Sequence, residues 1–98
     1  MREPIAKEYL SLTDKWEETN HMVIASNVNK YMIARYPECE VRSVMHKKLS
    51  ELTGSSTHTT YAWMNKSRED VKVPIIKLCM IAEALNIDVQ LFLTEEEE

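Results

Sequence analysis

One glycine in 98 residues is the feature that most restricts this chain. Strands joined by tight turns need residues that tolerate positive φ, and glycine is the usual supplier. A single Gly and three Pro leave too few turn-makers for a protein of many short strands, and helix formers dominate the rest. The position of the glycine sharpens the argument. Gly54 directly follows an amphipathic segment whose Met45, Leu49 and Leu52 fall at i, i+4 and i+7. A left-handed residue at a helix end costs glycine almost nothing. The spacing therefore predicts a helix capped by Ser43, a sharp turn at Gly54, and a short helix THTTYAWMNK entered from Ser55 or, better placed, Ser56. The inward side of that short helix is Thr60, Trp63 and Met64.

The same reasoning places the remaining elements. Ile24, Val28, Tyr31 and Met32 recur at helical spacing from Asn20 until Pro37 ends the run. YPECEVRS is a connector and SREDVK a loop. From Pro74 a further helix carries Ile75, Leu78, Cys79, Ala82 and Leu85 on one face, with Cys79 as core filler, until Asn86 stops it. Asp88 then caps a last short helix through Phe92. Residues 1–19 hold a weakly amphipathic segment, Ile5 to Leu12, and a polar stretch in which Trp16 stands alone. The expected architecture is all-α, a compact bundle of about five helices containing a helix-turn-helix. An N-terminal helical extension (1–19) precedes the domain (20–94), and an acidic tail (95–98) follows it.

An apolar share of 44% is ordinary for one domain with its own core. No run approaches the 18 or so apolar residues of a membrane span, and MREPIAKEYL lacks the apolar centre of a secretion signal. Cys39 and Cys79 lie far apart without C-x-x-C spacing and read as reduced thiols. A cytoplasmic protein without membrane contact is expected. The net charge of -4 conceals a segregated distribution. Residues 1–40 carry 5 basic and 7 acidic side chains, residues 41–72 carry 6 and 3, and residues 73–98 carry 1 and 6. The middle is basic between acidic flanks, an arrangement that suits a polyanion at the centre.

From Val44 to Leu93 the chain resembles the phage-repressor (Cro/XRE-like) helix-turn-helix family. The resemblance rests on KKLSELTGSS for the first motif helix and turn, on Trp63 with Asn65 near the close of the second helix, and on IAEALNIDVQLFL for the closing helices. Ser50 is the small residue four before the turn glycine, and Trp63 takes the place of the apolar plug late in the recognition helix. The pattern differs at Ser55 and Thr60, which the family usually fills with apolar residues, at His46, where it commonly has Gln, and in a longer loop after Trp63. The resemblance implies a sequence-specific transcriptional regulator, a repressor including of its own gene, in a bacterium or mobile element. It would act as a homodimer on a palindromic operator.

A helix in the major groove sets the side chains of its first turns against base edges. Thr57, His58 and Tyr61 are the expected base contacts. His58 can donate or accept a hydrogen bond, Thr57 can hydrogen-bond or touch a thymine methyl, and Tyr61 offers a hydroxyl and a flat ring. The expected phosphate contacts are Arg42, His46, Lys47, Ser56, Asn65, Lys66 and Arg68, with Lys48 and Lys72 as second choices, because cations and helix-start amides suit anions. Capping and surface polarity account for the cluster from Ser55 to Thr60 about as well as DNA does. Protonation of His46 and His58 would strengthen DNA binding in mild acid.

His21, His46 and His58 share no ligand spacing, so no metal is expected, and no cofactor or catalytic constellation is present. The partner expected is double-stranded DNA, bound by a homodimer whose surface involves either Leu91 and Phe92 or the extension with Tyr9, Leu10 and Trp16. The alternative is an antitoxin or small inhibitor that captures a protein partner through the acidic flanks.

Overall fold

The computed structural model describes residues 12–65, 67–68 and 70–94. Lys66 and the 95–98 tail lie outside the described residues, as do Tyr9 and Leu10 of the extension. Asn20 begins the central element. Its side chain accepts from Met22 N at 2.7 Å and so caps α2, His21–Arg35, which runs until Tyr36, ahead of Pro37, leaves the helical conformation at φ -129° and ψ 88°. Preceding it is α1, residues 12–18. Pro37–Glu40 is a 3-10 turn, followed by α3 (Arg42–Thr53), α4 (Thr57–Met64), α5 (Ile75–Leu85) and a second 3-10 turn, Val89–Leu93. Among the described residues there are five α-helices and no strand, the all-α bundle that the composition predicts.

Helical spacing accounts for the core. Ile24, Val28 and Met32 descend one face of α2 with at most 1% exposure and meet Met45 and Leu49 of α3, Trp63 of α4, and Leu78, Ile81 and Leu85 of α5. Phe92 closes the base, its ring edge-on to Tyr31 at 6.0 Å. That burial corrects the expectation that Phe92 belongs to a dimer surface, although its neighbour Leu91 is exposed. Cys79 is half-buried rather than a core residue.

Two polar residues stand inside this apolar face. Asn27, at i+3 from Ile24, is buried and its Nδ2 donates to the carbonyls of Phe92 at 3.0 Å and Thr94 at 2.9 Å. It thereby satisfies backbone groups of the C-terminal turn that would otherwise be desolvated without partners. His21 is also buried, and its Nε2 donates to the Asn65 carbonyl at 2.9 Å, which joins the start of α2 to the end of α4.

The turn at Gly54 has the expected left-handed geometry, φ 74° and ψ 10°. Gly54 N–H donates to the Ser50 carbonyl, Ser50 Oγ donates to the Ser55 carbonyl at 2.6 Å, and Lys77 Nζ donates to the Thr53 carbonyl at 2.9 Å. An ammonium at the C-terminal carbonyls of α3 also suits the helix dipole. Two boundaries differ from the sequence expectation. Val41, not Ser43, occupies the N-cap of α3, without a side-chain bond, because Ser43 falls one residue inside the helix. Likewise α4 stops at Met64 rather than continuing to position 66.

The extension is tied to the bundle. Trp16 and Leu12 pack on the core, Trp16 Nε1 donates to the Val73 carbonyl at 2.8 Å, and Lys72 Nζ donates to the carbonyls of Trp16 and Glu17 at 2.6 and 3.1 Å. Trp16 therefore has its apolar cover within the chain. Lys72 is committed to the end of α1, which removes it from the second-choice phosphate contacts.

A Cβ built on Gly54 meets nothing within 4 Å, so a side chain there costs only its backbone conformation. Gly54→Ala is expected to destabilise the fold by about 1–2 kcal/mol and Gly54→Asn by less, since Asn tolerates the left-handed region. Urea unfolding of the three proteins checks this, and equal loss from Ala and Asn would contradict it.

Candidate nucleic-acid interface

Capping fixes which side of α4 faces water. Ser56 Oγ accepts from Thr59 N at 3.2 Å, so Ser56 caps a helix whose first residue is Thr57. With that start, Thr60 and Trp63 turn inward at 0% and 3% exposure, whereas Thr57, His58 and Tyr61 are exposed. The three expected base-contacting residues thus share the outer face of one helix.

Tyr61 rests on α3. Its ring stacks on His46, centroids 3.7 Å apart and planes inclined 24°, and the Arg42 guanidinium carbon lies 5.8 Å from its centroid. Beneath it His46 is 2% exposed, with Nδ1 3.0 Å from Thr60 Oγ1. The threonine hydroxyl spends its single proton on the Thr57 carbonyl at 2.9 Å. Consequently His46 donates from Nδ1 to Thr60 Oγ1, and the neutral ring carries its proton on Nδ1. Burial, aided by the positive charge of Arg42, holds the His46 pKa below the usual imidazole range.

These contacts correct the reading of His46 as a phosphate ligand. A ring so covered has no surface to offer an anion, and its protonation opposes folding instead of adding charge to an interface. The buried pairing of His46 with Thr60 beneath an exposed Tyr61 has no signature in the sequence pattern, though an inward Thr60 signals that the opposing helix must supply a polar partner.

The remaining cationic positions divide by what already holds them. Arg42 and Lys47 are exposed near the start of α3. Lys48 is half-buried with Nζ 4.6 Å from the centre of the Tyr36 ring. Arg68 forms a two-pronged pair with Asp70, Nε to Oδ1 at 3.2 Å and Nη2 to Oδ2 at 3.1 Å, which holds the Asp70 carboxyl below its ordinary range. As a surface, then, the basic middle of the chain is narrower than its residue count. Asn65 closes α4, and its Oδ1 accepts from Ser67 N at 3.1 Å and Ser67 Oγ at 2.7 Å. Ser56 is exposed but engaged in capping. Lys66 lies outside the described residues.

Among the described residues no group of three His, Cys, Asp or Glu side chains is placed to hold a metal ion, and no helix is long and apolar enough to cross a membrane. The chain matches no family model, no curated protein and no solved structure.

The lowered pKa of His46 has a defined consequence for stability. Below pH 6.5 the unfolded chain takes up a proton at this ring while the folded chain resists it, so the contribution is complete above that pH and lost as pH falls through the folded value. Unfolding free energy measured from pH 8 to 5 should fall less steeply below pH 6.5 in His46→Gln than in the parent protein. Parallel curves would contradict the buried neutral imidazole.

Proposed function

We propose that the chain is a sequence-specific DNA-binding regulator that acts as a homodimer, with α3, the Gly54 turn and α4 serving as a helix-turn-helix. The observation that carries this reading is the outward face of α4. Thr57, His58 and Tyr61 are exposed together, while the side chains beneath them are buried and hydrogen-bonded. A rigid helix with hydrogen-bonding groups in its first turns suits the major groove. Arg42, beside Tyr61, and Lys47, exposed on α3, offer positive charge for phosphates.

One module of this size covers too little DNA to be selective alone, so two copies reading half-sites about 34 Å apart complete the proposal. Exposed apolar side chains at Ile76 and Met80, one turn apart on α5, and at Leu91 provide surface for self-association. Repression, including of its own gene, in the cytoplasm of a bacterium or mobile-element host is part of the same reading and follows from the family resemblance alone. The net charge of -4 favours a second reading, an antitoxin or small inhibitor whose acidic flanks hold a basic protein.

Fluorescence anisotropy with genomic DNA fragments at two salt concentrations separates the two, because phosphate contacts make affinity fall steeply with salt. Salt-sensitive binding is expected, and its absence would leave the protein-partner reading. On the preferred site His58→Ala should cost about 1–3 kcal/mol, whereas Lys47→Ala should weaken binding to all sequences alike. If both changes weaken specific and random DNA equally, the assigned roles fail.

A further inference from the structure

An open groove of about 700 Å³ runs between α2, the Pro37–Glu40 turn, the start of α3 and the end of α4. Its size suits a ligand of several functional groups rather than a simple ion. Ile33 and Met64 supply apolar wall, Asn29 supplies a carboxamide, and Asn65 lines the groove with its own carboxamide oxygen taken by Ser67. Buried side chains, His46 among them, form the floor, and Arg42 and Glu40 are the one lysine-or-arginine cation and the one carboxylate of the lining. Among the described residues none forms a hydrogen bond or ion pair with the Glu40 carboxylate or the Asn29 carboxamide, and the Arg42 guanidinium lies over the Tyr61 ring.

That composition discriminates between ligand classes. A simple anion drawn to Arg42 meets the charge of Glu40, and a simple cation drawn to Glu40 meets Arg42. A molecule carrying both a carboxylate and an ammonium satisfies both. The Asn29 carboxamide donates and accepts at once, which matches the N–H and C=O of a peptide unit. We infer that this groove binds a short zwitterionic peptide with apolar side chains, its carboxylate on Arg42 and its ammonium on Glu40. Because Arg42 lies near Tyr61 and is a phosphate contact in the DNA-binding reading, an occupied groove also weakens DNA binding; this second effect rests on that reading.

Isothermal titration of the full chain with the dipeptide Leu-Phe, its N-acetyl form and its C-terminal amide tests the groove without DNA. The parent dipeptide should bind one to one, and each capped form about tenfold more weakly. Glu40→Gln should abolish the penalty of acetylation and Arg42→Ala that of amidation, with helix content unchanged by circular dichroism because both side chains are exposed. Absence of binding at millimolar dipeptide, or equal binding of all three forms, overturns the proposal. Anisotropy then reads the second effect. Bound dipeptide that leaves DNA affinity unchanged overturns the coupling, whereas titration heat without any DNA binding overturns the DNA reading and keeps the groove.

Discussion

The orientation of α4 depends on how one buried imidazole is satisfied. His46 lies between two helices joined by three residues, and such a short connection lets α4 pivot unless something inside the angle fixes it. The hydrogen bond from His46 Nδ1 to Thr60 Oγ1 does so, and Thr60 passes the constraint to its own helix through the Thr57 carbonyl. Tyr61 then covers the ring from outside. A buried donor without its acceptor is costly, so the pair excludes arrangements that packing alone would permit. What α4 presents to solvent is thus decided beneath the surface that presents it.

The backbone outline was legible in the sequence because its signals are local. Gly54, Pro37, Ser56, Asn86 and Asp88 each act on their immediate neighbours, and the structure places a left-handed residue at both Gly54 and Asn86 and side-chain caps at Ser56 and Asp88. Less was legible where a residue's role depends on a distant partner. Asn27 interrupts an apolar stripe, yet its partners are carbonyls more than 60 positions away. His46 is the clearer case. As a residue type beside two lysines it reads as a surface cation, and only the placement of Tyr61 and Thr60 turns it into a buried neutral group. Trp16 was isolated in sequence because its acceptor, the Val73 carbonyl, belongs to a loop without periodicity.

Charge shows the same limit. The excess of bases between positions 41 and 72 is a property of composition, but folding spends much of it internally. Lys72 holds the end of α1, Arg68 is matched by Asp70, and Lys48 lies against Tyr36, so among the described residues of that span Arg42 and Lys47 of α3 are the exposed cations that no carboxylate or carbonyl holds. A count along the chain detects that charge is segregated. Where the field emerges depends on which ammonium groups find carbonyls, carboxylates and rings first.

The attachment of α1 has a consequence for excising or transplanting this fold. Three ties pin the loop that leads from α4 to α5: His21 on the Asn65 carbonyl, Trp16 on the Val73 carbonyl, and Lys72 on the end of α1. Two of them engage residues that sequence periodicity assigns to an appendage, Trp16 as donor in one and the Trp16 and Glu17 carbonyls as acceptors in the other. A fragment trimmed to begin at Asn20 keeps every helix from α2 onward and the His21 tie but loses the other two, and with them the Trp16 contact that holds the buried Val73 in place. The minimal transferable unit is therefore longer than the recognisable motif, and it includes α1 from Leu12 onward.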